Sequence, residues 1–382
     1  MKKNIFNSLL YVVIALVFIF SVTNIYLINT RFKKVGEAKE TAKEMLRPAT
    51  LEVIKIVHSD CKDCFDIQKS LDLIKNQNVN ITKENSVNFE SEEGGNLIKS
   101  YKLIKIPTLI VRGEINKSDQ LIKFFEKNGV IINNNTAIYT NINPPFYDVV
   151  KDEVVGRVKI INLVDSSCEL CIPLIQVEKS LANVGVAISE SDSYEYNSDE
   201  AMELIREMGI TKIPAILIST DLDHYKDVKK QIQNLAGEPK NGYYTIHSLN
   251  PPYRYLEEDK IVGLVNLIML TDNSCKECYD IKLNENVLKR FGIAVDKIDT
   301  YDISSEDGKE FLSRYKITKV PMILVSPDVE VYQSFVQVWQ NVGTVEEDGW
   351  YVMRNPEVLG NYKDLTTNKV VKRQVAIPQQ VQ

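Results

Sequence analysis

Six cysteines form three pairs, Cys61-Lys62-Asp63-Cys64, Cys168-Glu169-Leu170-Cys171 and Cys275-Lys276-Glu277-Cys278, and one constant interval separates successive first cysteines. A proline follows each first cysteine at one fixed offset, at Pro107, Pro214 and Pro321. Asn143-Pro144-Pro145 recurs at the same interval as Asn250-Pro251-Pro252, and Asn355-Pro356 begins a related stretch two positions short of it. Self-similarity at a fixed period means one structural unit used repeatedly. Whatever this chain folds into, it folds into it three times.

Each unit reads as alternating strands and helices. An apolar, β-branched run precedes each cysteine pair, at 53–57, 158–163 and 264–269. Such runs suit strands buried on both faces. A helical pattern begins at the cysteines and in the first unit includes Phe65, Ile67, Leu71, Leu73 and Ile74. A short strand follows, seen at 185–186 and 294–295, then a second helix at 95–101, 199–208 and 307–315. Each proline opens another apolar run, at 108–111, 215–218 and 322–325. A further helix (121–127, 225–235, 332–340) leads to a last strand at 137–139, 243–246 and 350–353. Strands alternating with helices imply βαβ units in an α/β layer.

These residues carry a family resemblance. Strand, CxxC, βα, then a proline that opens a strand is similar to the thioredoxin superfamily. Tyr101-Lys102-Leu103-Ile104-Lys105-Ile106-Pro107-Thr108 resembles that family's cis-proline segment, and 208–214 and 315–321 repeat it. The resemblance covers about residues 51 to 353. It implies an α/β fold with three tandem thioredoxin-like domains, each a central mixed sheet flanked by helices, over 51–150, 151–257 and 258–368. It further implies cis-prolines facing the sulfurs. The backbones of Ile106 with Pro107, Ile213 with Pro214, and Val320 with Pro321 would bind a substrate chain.

The sequence departs from the family's pattern in places. Asp60, Ser167 and Ser274 precede the first cysteines where a tryptophan is common. Lys55, Asn162 and Met269 stand six residues before them, where an acid is often buried. An extra helix falls between the last two strands of each unit.

The thiolate is the attacking species in disulfide exchange. A first cysteine at a helix N-terminus would gain from free N–H groups and the helix dipole. Cys61, Cys168 and Cys275 are then the attacking residues, and Cys64, Cys171 and Cys278 resolve. Asp63, Glu169 and Glu277 oppose thiolate formation, and Lys62 and Lys276 offset this in part. No dissociable cofactor is needed. Two cysteines per site fall short of the four ligands that zinc takes as a rule, so no metal site is assigned. His58 precedes Cys61 by three residues and can tune that site, assist a metal or be an incidental loop residue.

Residues 4 to 30 contain no Asp, Glu, Lys or Arg. About 20 apolar residues cross a bilayer core, so 5–29 is expected to be an uncleaved transmembrane anchor, with a juxtamembrane spacer at 30–50 stopped by Pro48. Basic residues on both sides are nearly balanced and do not decide orientation. An anchor at the chain start is the usual way to hold domains outside the cytoplasm (periplasmic, extracellular or lumenal). Residues 369–382 read as a frayed tail. The net charge of −6 leaves no basic footprint for nucleic acid.

The expected activity is thiol–disulfide exchange or isomerisation on cysteine-containing proteins, with an external redox partner. Two other readings stand beside it. One is a chaperone-like binding module with structural or slow disulfides. The other is a dithiol protein that handles copper or another metal.

Overall fold

The computed structural model describes residues 2–248 and 250–373, and for 2–17, 19, 42 and 45 it describes the backbone alone. The chain divides into two compact units, Met1–Val155 and Gly156–Gln382. The first holds one repeat and the second holds two.

The chain begins with a single helix, Lys2–Leu46, that runs through the expected anchor and most of the expected spacer, whose last residues, Ala49 and Thr50, instead open the strand Ala49–Val57. The helix ends before Pro48, as the ring's clash with the preceding turn requires. Among the described residues no helix is long and apolar enough to cross a membrane. The anchor expected at 5–29 is therefore unsupported, and the side chains of 5–17 and 19 lie outside the described residues. Arg47 at the helix end bonds Glu114 (2.7 Å), and Lys117 bonds Glu44 (2.7 Å).

The sheets repeat one plan. In the first repeat, Ala49–Val57 runs parallel to Val79–Asn88 and antiparallel to Thr108–Gly113, which pairs with Thr136–Tyr139 and then Gly129–Asn133. The second repeat orders Ile188–Glu195, Val158–Val164, Ala215–Ser219 and Tyr243–His247 in the same way. The third orders Ala294–Asp302, Leu264–Thr271, Met322–Val325, Tyr351–Met353 and Gly343–Val345. The extra helix between the last two long strands is present each time, at Asp119–Asn128, Lys226–Ala236 and Gln333–Trp339. Leu51, Leu109 and Phe125, then Ile160, Ile216 and Tyr244, then Val265, Leu324 and Val352, are fully buried between sheet and helices.

Local chemistry repeats with the same period. Ser91, Ser198 and Ser305 cap the helices Glu92–Tyr101, Asp199–Met208 and Glu306–Arg314, each accepting the N–H three residues on. A serine at that position satisfies a donor that the helix leaves open.

Each repeat closes with a hairpin that the sequence reading lacks. Phe146–Asp148 pairs with Glu153–Val155, Tyr253–Tyr255 with Lys260–Val262, and Tyr362–Asp364 with Lys369–Val371. The expected boundaries at 150/151 and 257/258 fall inside the turns of the first two hairpins, and 368/369 falls where the third turn meets its return strand. The expected tail contributes a strand, and its residues 374–382 lie outside the described residues. The first two hairpins end at Gly156 and Gly263, whose φ values of 85° and 88° favour glycine.

Candidate functional site

All three cysteine pairs are disulfide-bonded, with Cα separations of 5.3–5.5 Å. Each follows the C-terminal end of the first strand of its repeat. The backbone N–H of the first cysteine bonds the carbonyl three residues back: Cys61 to His58 (3.2 Å), Cys168 to Asp165 (3.2 Å) and Cys275 to Asp272 (2.9 Å). These tight turns present the disulfides.

The cysteines are not at helix N-termini, contrary to expectation. The helices begin later, at Ile67–Lys75, Ile175–Asn183 and Leu283–Arg290. The reasons are local. The N–H of Phe65 donates to Pro145 (2.8 Å) and that of Tyr279 to Asn361 (2.9 Å), which holds the residue after the second cysteine in a loop. Asp66 then caps the first helix through the N–H of Gln68. In the second repeat Pro173 disfavours helical backbone at Ile172. The helix dipole, which fades within the first turn, is therefore not aimed at the sulfurs.

The prolines are where the resemblance places them. Ile106–Pro107, Ile213–Pro214 and Val320–Pro321 are cis. In the third repeat the Sγ of Cys278 lies 3.9 Å from the carbonyl oxygen of Val320. Beside it, the Tyr279 hydroxyl donates to the carbonyl of Pro321 (3.2 Å), and burial pushes that phenol up to about 12.

The edge that the resemblance gives to a substrate chain is paired with the protein's own hairpins. Lys105–Ile106 pairs antiparallel with Phe146–Asp148, Lys212–Ile213 with Tyr253–Tyr255, and Lys319–Val320 with Tyr362–Asp364. The N–H groups of Val149, Leu256 and Leu365 donate to Ile104, Thr211 and Thr318. Bonded pairs alternate along an antiparallel ladder. The backbones of Ile106, Ile213 and Val320 therefore face Tyr147, Arg254 and Lys363, the residues opposite them.

Those opposite residues meet the turns that carry the cysteines. Arg254 donates Nε to Asp165 Oδ2 (2.8 Å) and Nη2 to Ser167 Oγ (3.0 Å). Asp165 also accepts the Ser167 N–H (3.0 Å) and hydroxyl (2.5 Å). Lys363 donates to Asp272 (2.5 Å) and lies 3.5 Å from Ser274 Oγ, and Ser274 bonds Asp272 as Ser167 bonds Asp165. Burial pushes both carboxyls up. Bonds from Ser167 and Arg254 outweigh it at Asp165, as bonds from Lys363 and Ser274 do at Asp272, and both carboxyls sit below the usual carboxylate range.

In the first repeat the same positions hold His58 and Tyr147. Their rings are 5.2 Å apart, and Phe89 lies 4.6 Å from His58 and 4.5 Å from Tyr147. The spacing holds the signal for this set, since His58, Asp165 and Asp272 keep the period of the cysteines, as do Tyr147 and Arg254. At the position six residues before the first cysteine, Lys55 bonds Glu84 (2.8 Å) and Asn162 bonds Glu178 (3.3 Å), and Met269 is buried.

The three disulfides differ in access. Cys168 and Cys171 are each only 5% exposed. The other four cysteines are half-buried. Among the described residues, no three His, Cys, Asp or Glu side chains gather into a metal-binding group.

No protein-family model matches this chain. No curated protein matches it. Structure comparison finds human ERp44 form II at 13% identity, covering 78% of this chain and 85% of that one, with a TM-score of 0.14. It also finds ERdj5 form II at 10% identity, 78% and 42% coverage and a TM-score of 0.16. A protein disulfide oxidoreductase from Aeropyrum pernix k1 is 19% identical over 48% of this chain and 81% of that one, with a TM-score of 0.13. The fold rests on the chain's own geometry. A parallel pair, an antiparallel pair and a CxxC turn beside a cis-proline strand occur together in every repeat. Each repeat has a thioredoxin-like fold. Its departures from the plain thioredoxin-like plan are the late helix after the cysteines, the extra helix before the last long strand and the hairpin on the cis-proline edge.

Proposed function

We propose that this chain is a thiol–disulfide oxidoreductase acting on cysteine-containing proteins through Cys61–Cys64, Cys168–Cys171 and Cys275–Cys278. The observation that carries the reading is the third site, where a half-buried disulfide lies 3.9 Å from the carbonyl that precedes a cis-proline. In the oxidising direction, a substrate thiolate attacks the first cysteine and the second leaves as a thiolate. A second substrate thiolate then attacks the mixed disulfide and releases the first cysteine. Two electrons pass from substrate to protein, and an external redox partner removes them. Run backwards, the same steps reduce a substrate disulfide. Anchoring through 5–29, with the repeats outside the cytoplasm, belongs to the proposal and rests on the uncharged stretch of sequence alone.

Equilibrating the full chain in graded glutathione buffers, followed by alkylation and mass spectrometry of each cysteine peptide, tests it. Reversible titration of Cys61–Cys64 and Cys275–Cys278 is the expected result. Pairs that stay oxidised under strongly reducing buffer would overturn it in favour of a binding module.

One observation favours a second reading for the middle site alone. Cys168 and Cys171 are buried, which suits a structural or slow disulfide.

A further inference from the structure

Resting on the exchange activity proposed above, we infer that the residue facing the cis-proline strand ranks the three disulfides. Arg254 and Lys363 are positioning residues that clamp the second and third cysteine turns through ion pairs, whereas Tyr147 meets the first turn through a ring contact, and that site is the fastest to exchange.

Tyr147, Arg254 and Lys363 stand opposite Ile106, Ile213 and Val320. Each therefore projects from the hairpin at the same place in its repeat. What each meets is the residue three before the first cysteine, whose carbonyl takes that cysteine's N–H. In the second repeat the meeting is ionic, buried and linked through Ser167 to the residue beside Cys168. The third repeats it through Lys363, Asp272 and Ser274. A further acid braces the same two turns, since Glu195 accepts the N–H of Ser166 (3.1 Å) and Asp302 that of Asn273 (2.7 Å).

In the first repeat the meeting is between rings. The Tyr147 hydroxyl donates instead to Asp152, within its own hairpin. Ring contacts have no strict directionality, whereas a charge-assisted bond is short and directional and about twice as strong as a neutral one. A turn that must yield for in-line attack on sulfur moves more readily against rings than against a buried ion pair. Access adds to this order at the middle site, where both cysteines are buried.

Reciprocal exchange of the paired residues separates the clamp from burial. The full chain is reduced with dithiothreitol, whose two thiolates give up two electrons and close into a ring. Each disulfide is followed by timed alkylation and mass spectrometry, so the untouched sites serve as controls. The wild-type order expected is Cys61–Cys64, then Cys275–Cys278, then Cys168–Cys171. Asp165→His with Arg254→Tyr should speed the middle site about tenfold, as loss of charge-assisted bonds implies. His58→Asp with Tyr147→Arg should slow the first site by a similar factor. Slowing is a result that mere loss of folding does not produce, because unfolding exposes the sulfurs. Arg254→Lys should keep the middle site slow.

Unchanged rates in both exchanges, with the pairs still reducible, overturn the clamp and leave the oxidoreductase reading standing. Acceleration in both exchanges also overturns it, since it marks simple destabilisation. Disulfides that never reduce reversibly in the wild-type chain overturn the activity itself, and the ranking with it.

Discussion

Asp63 places Oδ1 3.6 Å from the Sγ of Cys61, within the same tight turn. A carboxylate so close opposes a thiolate on that sulfur. No helix N-terminus offsets it, since the helix starts at Ile67. Asp63→Asn should therefore raise the alkylation rate of reduced Cys61 at neutral pH by roughly tenfold, the effect of about one unit of thiol acidity. Iodoacetamide kinetics with Cys275 of the same chain as reference would check it. An unchanged ratio counts against the carboxylate.

Acid should weaken the second and third repeats through Asp165 and Asp272. Both carboxyls sit below their ordinary value in the folded chain. A group depressed in this way contributes stability that is full above its unfolded value of about 3.9 and is lost as pH falls through the folded value. Denaturant unfolding followed by circular dichroism should show stability falling below about pH 4. Asp165→Asn combined with Arg254→Met should flatten that fall, and an identical slope would remove Asp165 from the account.

Tyr225 and Tyr332, at equivalent positions of the second and third repeats, each make the same two hydrogen bonds. The Tyr225 hydroxyl accepts the N–H of Ala187 (2.9 Å) and donates to the carbonyl of Gly156 (2.8 Å). Tyr332 accepts from Ala294 (3.1 Å) and donates to Gly263 (2.7 Å). Changing either to Phe strands two backbone groups and should cost about 1–3 kcal/mol. Urea midpoints of Tyr332→Phe and wild type give the comparison, and equal midpoints would contradict it.

Gly263→Ala should be more costly than Gly185→Ala. Both glycines have positive φ, at 88° and 86°. A Cβ at Gly263 would lie 2.4 Å from the Cβ of Pro251, whereas at Gly185 it would meet nothing within 4 Å. The second change carries only the backbone strain of about 1 kcal/mol, and the first adds a clash. Thermal melts of the two variants should separate clearly, and coincident melts would dispose of the steric argument.

Period and pattern make the long strands and the second helices legible in the sequence, and the family resemblance adds the cis-prolines. The runs at 53–57 and 108–111 lie within Ala49–Val57 and Thr108–Gly113, and the helix expected at 199–208 is found there. Two features are not legible, for different reasons. Ile67, Leu71 and Ile74 keep a helical phase, but apolar spacing cannot show that Phe65 just before them is held in a loop by Pro145, from the far end of the same repeat. The hairpin strands are very short and rich in tyrosine and charge, as in Tyr253–Tyr255. That strand pairs with the still shorter segment Lys212–Ile213, well before it in the chain, which is too little for any periodicity. The site column His58, Asp165 and Asp272 is legible by counting, yet its meaning depends on Arg254 and Lys363 reaching it from those hairpins.

The hairpins also govern how such a chain can be cut. A copy that stops at residue 150 would lack Glu153–Val155, the return strand of its hairpin. Its outermost strand would be an open edge, the usual template for unwanted pairing between molecules. A copy that runs to Val155 or Val262 keeps its whole hairpin, and a glycine of positive φ follows it directly. A cut placed after the hairpin rather than within it therefore leaves each copy with both strands of its closing hairpin.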